Sequence, residues 1–138
     1  MDGKIEIASD RIILLDFFHT LIKNDDDHAR KEIEVREYDT DLIDLIKDNY
    51  VIIISACPYS KSFKALRHLK EKTGYKPDEA YWNFGRHPPA LKKYWLEEEI
   101  IPRFGDDTEK LLSIESNRYS RLTYRQFNIE SRPKSDFL

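Results

Sequence analysis

Residues 11–21 read RIILLDFFHTL. Four aliphatic residues, Ile12 to Leu15, run without a polar break and end at Asp16, with Thr20 four places on. A short aliphatic run bounded by polar residues reads as a strand buried on both faces, as in a parallel sheet. In open α/β sheets, ligands bind beyond the carboxyl ends of the strands. Asp16 is therefore either a turn cap or a site residue, and the other strand ends decide between the two.

A second aliphatic run, Val51–Ile54, ends at Ser55, and a third, Leu111–Ile114, ends at Glu115. Between the first two, residues 39–48 (DTDLIDLIKD) carry apolar side chains at 42, 43, 45 and 46, one face of a short helix with acidic residues at its start. Residues 60–73 (SKSFKALRHLKEKT) place Phe63, Leu66 and Leu69 at helical spacing before Gly74, a natural stop. Residues 79–84 form a weaker strand candidate. Pro88 and Pro89 open a helix over 90–101 that Pro102 and Gly105 end. A last helix spans 119–127, and Ile129 with Glu130 begins a short final strand. Strands alternating with helices at this spacing predict right-handed βαβ units. The expected fold is a single domain over residues 1–138, α/β in class. It is a three-layer, Rossmann-like open parallel sheet with helices on both faces and no large cap domain.

The chain has 138 residues, enough for one core, and a net charge of -3, so no global charge draws it to nucleic acid or anionic lipid. The aliphatic runs fall far short of the ~20 residues of a membrane span. The single cysteine, Cys57, excludes an internal disulfide framework. Together these predict an intracellular, cytoplasmic protein without membrane contact.

The parallel topology brings Asp16, Ser55 and Glu115 to one edge, and Lys92 or Lys93 stands on the helix leading into the third strong strand. The two lysines lie 100° apart on a helix, so only one points inward. This set resembles the haloacid dehalogenase-like superfamily. Its first motif, an aspartate after a hydrophobic strand with threonine four places on, is similar to Asp16 and Thr20. Its serine or threonine after the next strand is similar to Ser55, its helical lysine to Lys92, and its acidic pair after a later strand to Glu115 and Ser116. Within the superfamily, the phosphatase domain of phage polynucleotide kinase has segments similar to KKYWLEEEIIPRF and RYSRLTYRQFNIE.

The resemblance implies roles. A residue like Asp16 attacks phosphorus and forms an aspartyl-phosphate. Mg²⁺ is held by Asp16, the backbone carbonyl of Phe18 and Glu115. Ser55 and Lys92 contact the transferring phosphoryl group, and Thr20 supports the nucleophile. The implied partner is a phosphorylated substrate, such as a nucleic-acid end. A phage relationship would place the protein in host cytoplasm.

Two departures stand against this. The superfamily's phosphatases carry a second aspartate two places after the nucleophile, as general acid and base; here it is Phe18, and losing such a group costs ~10²–10⁴ in rate. Glu115 is one methylene longer than aspartate, and Ser116 replaces the second acid. Two functions therefore stand open: a slow Mg²⁺-dependent phosphomonoester hydrolase, or a catalytically inactive relative that serves as a protein- or nucleic-acid-binding module.

Other residues read more simply. His19 and His28 are expected to be structural or solvated. Cys57 is placed in a loop near the pocket, without a base to activate it. Asp25–Asp27 lacks calcium-loop spacing and reads as solvated loop. The cations of residues 61–72, with Arg118, Arg121 and Arg125, read as ordinary helix surface. Some of the many aromatics, if exposed, suit a protein–protein surface.

Overall fold

The computed structural model describes residues 3–24 and 32–138. Five strands form one sheet in the order β3-β2-β1-β4-β5: β1 Ile12–Leu15, β2 Tyr50–Pro58, β3 Glu79–Asn83, β4 Leu111–Ile114 and β5 Glu130–Arg132. Every neighbouring pair is parallel. The central strand β1 sets Leu15 against Ile53 on one side and Ile114 on the other, so β1 and β4 end at one level.

Both faces are covered. Ile13, Leu15, Val51, Ile53, Leu112 and Ile114 face helices α1 (Thr40–Ile46) and α2 (Ser62–Thr73), through Leu42, Ile46, Ala65 and Leu69. Leu14, Ile52, Ile54 and Leu111 face the opposite layer. There α3 (Pro88–Trp95), its continuation to Phe104, and α4 (Arg118–Gln126) supply Leu96, Ile100 and Tyr124. The alternation of Ile13, Leu14 and Leu15 between layers is the period-two geometry of a strand. This is the three-layer, Rossmann-like architecture expected from the sequence.

Local chemistry sets the helix ends. The Asp39 carboxylate accepts from the Leu42 amide at 3.0 Å and starts α1. Asn117 accepts from the Tyr119 and Ser120 amides at 2.9 and 3.1 Å and starts α4; such caps are worth about 1 kcal/mol each. Gly74 closes α2 in the left-handed region at φ 75°. Pro88 and Pro89 occupy the first turn of α3, where a missing N–H costs nothing. Leu96–Ile100 widens into a π-type turn just ahead of Pro102.

Two expectations are corrected. β2 does not end at Ile54 but runs through Ser55 to Pro58, so Cys57 lies in the strand, fully buried in the core, and not in a loop. Phe63 is not part of the apolar face of α2; it is 73% exposed, and Ala65 and Leu69 fill the core position instead. Residues 23–37, expected as an exposed loop or hairpin, close at their described ends in hairpin fashion. Lys23 donates to the Glu37 carbonyl, Ile22 and Tyr38 form an antiparallel bridge, and Arg36 is buried over the Phe17 and Phe18 rings. Asp25–Asp27 and His28 lie outside the described residues.

Candidate functional site

The sheet fixes the two acids. The Asp16 amide donates to the Ile114 carbonyl and the Glu115 amide to the Arg132 carbonyl, each at 3.0 Å, so both residues leave their strands as extensions of the ladder. The chain then turns sharply through Phe17–Leu21, with His19 in the left-handed region at φ 61°. That turn brings Thr20 back onto Asp16, where its hydroxyl donates to Oδ2 at 3.1 Å. The Ser116 hydroxyl donates to the same oxygen at 2.8 Å.

Lys92 enters from α3 and is 1% exposed. Its ammonium lies 3.1 Å from Asp16 Oδ1 and 3.0 Å from Glu115 Oε1, and it also donates to the Ile54 carbonyl. Lys93, one residue on, is exposed beside Glu97. The helix therefore directs Lys92 inward and leaves Lys93 outside. Glu115 Oε2 accepts from the Asn117 amide at 3.1 Å.

One positive charge faces two carboxyl groups, and burial decides how they share it. Burial pushes the Asp16 carboxyl up, but the Lys92 charge and the hydrogen bonds around it hold it net below the usual carboxylate range. Burial also raises Glu115, and the Asp16 charge adds to that while Lys92 opposes it, leaving its carboxyl at about 8. Burial alone would lower Lys92; the two acids beside it raise it instead. One ammonium thus faces two carboxyl groups, and Asp16 is the more acidic of the two. Burial raises the Tyr124 phenol next to the cluster, partly offset by Lys92.

Ser55 sits in β2, fully buried, and its hydroxyl accepts from the Cys57 amide at 2.9 Å. Phe18 turns its ring into the core against Phe17, with ring centroids 5.6 Å apart. Its carbonyl lies 3.4 Å from the Ser116 hydroxyl.

These residues do not fit a two-carboxylate Mg²⁺ site. Of the oxygens the resemblance assigns to Mg²⁺, Asp16 Oδ2 already takes two hydroxyl donors and Glu115 Oε2 the Asn117 amide, while Glu115 Oε1 lies 3.0 Å from the Lys92 ammonium without a hydrogen bond. Among the described residues, no three His, Cys, Asp or Glu side chains cluster as metal ligands.

Several arginines of the cationic helix faces are occupied. Arg121 donates to the Glu115 and Ser116 carbonyls, Arg125 to the Ser131 carbonyl, and Arg67 pairs with Glu71. Three participants were missed in the sequence: the Ile54 carbonyl, the Ser116 hydroxyl as a partner of Asp16, and Tyr124. A backbone acceptor leaves no sequence signal. Tyr124 was readable only as the inward position of α4.

No family model matches the chain, and no curated protein matches it by sequence. Among solved structures it is similar to a chain of the Pnkp1/Rnl/Hen1 RNA repair complex, with a TM-score of 0.68 over 95% of this chain at 14% identity. It spans 44% of that chain's length. At this identity the likeness concerns the fold. Among the described residues, no helix is long and apolar enough to cross a membrane.

Proposed function

We propose that this chain is a phosphatase-like domain of the haloacid dehalogenase type whose aspartate site has become structural, and that it acts as a binding module rather than a hydrolase. The observation that carries this reading is the state of Asp16. Both of its oxygens are engaged by Lys92, Thr20 and Ser116, and it is 6% exposed. A nucleophilic carboxylate needs a free oxygen in line with phosphorus. The general acid that would protonate a leaving group is replaced by Phe18, a core residue. Glu115 is held between the Lys92 ammonium and the Asn117 amide. What survives of the site is the part that holds strands β1 and β4 to helix α3.

The test is hydrolysis of an aryl phosphate and of a 3′-phosphorylated oligonucleotide, with and without Mg²⁺, by the wild type and Asp16→Asn. The expected result is no metal-dependent turnover above that of the variant. Turnover that vanishes in Asp16→Asn would instead establish the slow Mg²⁺-dependent phosphatase.

A further inference from the structure

The carboxyl edge of the sheet carries a second feature, which the aspartate cluster does not use. β2 pairs Pro58 with Asn83 of β3, so the next residue of each strand, Tyr59 and Phe84, emerges side by side. Their rings stack at a centroid distance of 4.9 Å and 22° between planes, yet they are 58% and 66% exposed. Behind Phe84 the rings continue inward through Trp95, 6.4 Å away, which contacts Tyr81 and Tyr94.

Both outer rings stand on ordered turns. The Asn83 side chain accepts from the Gly85 and Arg86 amides at 3.0 and 2.7 Å and donates to the Arg86 carbonyl at 2.7 Å. Gly85 supplies the φ of 103° that this turn requires. On the other side the Ser62 hydroxyl donates to the Tyr59 carbonyl at 2.7 Å. Two aromatic rings held in place and left in water are a preformed stacking surface. A cation follows each ring by two residues: Lys61 after Tyr59 and Arg86 after Phe84. Neither has a carboxylate partner among the described residues, and the Arg86 guanidinium lies over the Tyr94 ring at 4.4 Å. Glu97 and Glu98 bound the far side of the cleft beside Arg86, with Lys93 facing Glu97.

We propose that Tyr59 and Phe84 form a stacking platform for the bases of a single nucleic-acid strand, with Lys61 and Arg86 on its phosphates. This deepens the binding-module reading and rests on it. An aromatic face with flanking cations is the chemistry that holds single strands without reading sequence, because every base has a π face and every linkage a charge. The edge is too small for more than a few nucleotides, so affinity is modest and salt-sensitive.

The experiment is fluorescence anisotropy with a labelled single-stranded RNA of about 12 nucleotides at about 50 and 200 mM salt, using the full chain. Tyr59→Ala and Phe84→Ala should each weaken binding roughly tenfold, and Tyr59→Trp should retain it. Lys61→Ala with Arg86→Ala should flatten the salt dependence. Both rings are exposed, so unchanged circular dichroism and melting will show that the variants fold. Wild-type binding that the double variant Tyr59→Ala/Phe84→Ala leaves intact would overturn the proposal. So would a lack of binding at low salt, including the case where the two rings instead mediate self-association. Release of phosphate from a 3′-phosphorylated version of the same strand, followed in parallel, reports on the hydrolase question separately. Asp16-dependent release would refute the non-catalytic reading and leave the platform result to stand or fall alone.

Discussion

Replacing Lys92 with methionine removes the one positive charge of the buried cluster while keeping a flexible side chain of similar length. The ammonium lies 3.1 Å from Asp16 and 3.0 Å from Glu115, and both acids are buried. Removing one partner of a buried pair leaves the other charge uncompensated and costs about 3–5 kcal/mol. With a urea m-value of roughly 2 kcal/mol/M, the unfolding midpoint should fall by about 2 M. The pH dependence gives a second reading. In the wild type the Asp16 carboxyl is held below its unfolded value, so its stabilisation is present above that value and is lost as pH falls through the folded one. In Lys92→Met the opposing charge is gone while burial and the Thr20 and Ser116 hydrogen bonds remain, so the folded value rises relative to wild type and the deficit of the variant should shrink as pH is lowered. Adding Asp16→Asn to Lys92→Met should recover much of the loss, because no buried charge then remains. Urea titrations at neutral and mildly acidic pH measure both effects. A Lys92→Met protein within about 0.5 kcal/mol of wild type, with the same pH profile, would refute the claim that this ion pair organises the site.

Glu115→Gln should destabilise by about 1–3 kcal/mol, since the amide sets an NH2 against either the Lys92 ammonium or the Asn117 N–H, both donors. The Glu115 carboxyl is raised to about 8, so the stability it contributes is fully present below its unfolded pKa and declines as pH rises to about 8; thermal melts across that window should show a flatter profile in the variant. Lys93→Ala should change stability by less than about 0.5 kcal/mol in the same urea assay, because its pairing with Glu97 is exposed. The hydrogen bond from Arg103 lowers Glu79 to about 2, against burial, so its contribution is present above its unfolded pKa and lost as pH falls toward 2; acid titration of Glu79→Gln should lack that step.

The sheet was legible in the sequence because a strand buried on both faces leaves an unbroken aliphatic run, and β1, β2 and β4 each carry one. Parallel pairing then places Asp16 and Glu115 at one edge without further information. The end of β2 was misplaced because Ser55 looks like a terminator, whereas here its hydroxyl takes the Cys57 amide and the strand continues. Helical spacing alone assigned Phe63 to the core. Its neighbour Ala65 is the residue that meets the sheet, and the small side chain lets α2 pack close. The choice between Lys92 and Lys93 needed the angular setting of α3 on the sheet, which buries Leu91 along with Lys92. The raised Glu115 carboxyl was out of reach, since it follows from burial and from the Asp16 charge beside it. The Tyr59–Phe84 stack joins residues distant in sequence, and only the β2–β3 register reveals it.

The central claim is that Asp16 is committed to an internal ion pair and is free neither for metal nor for phosphorus. Calorimetric titration of millimolar Mg²⁺ into the wild type and Asp16→Asn at neutral pH tests it directly. The account predicts no saturable heat that depends on Asp16 and no Mg²⁺-dependent rise in melting temperature. Saturable binding in the wild type that disappears in Asp16→Asn would contradict it and return the site to metal-dependent chemistry.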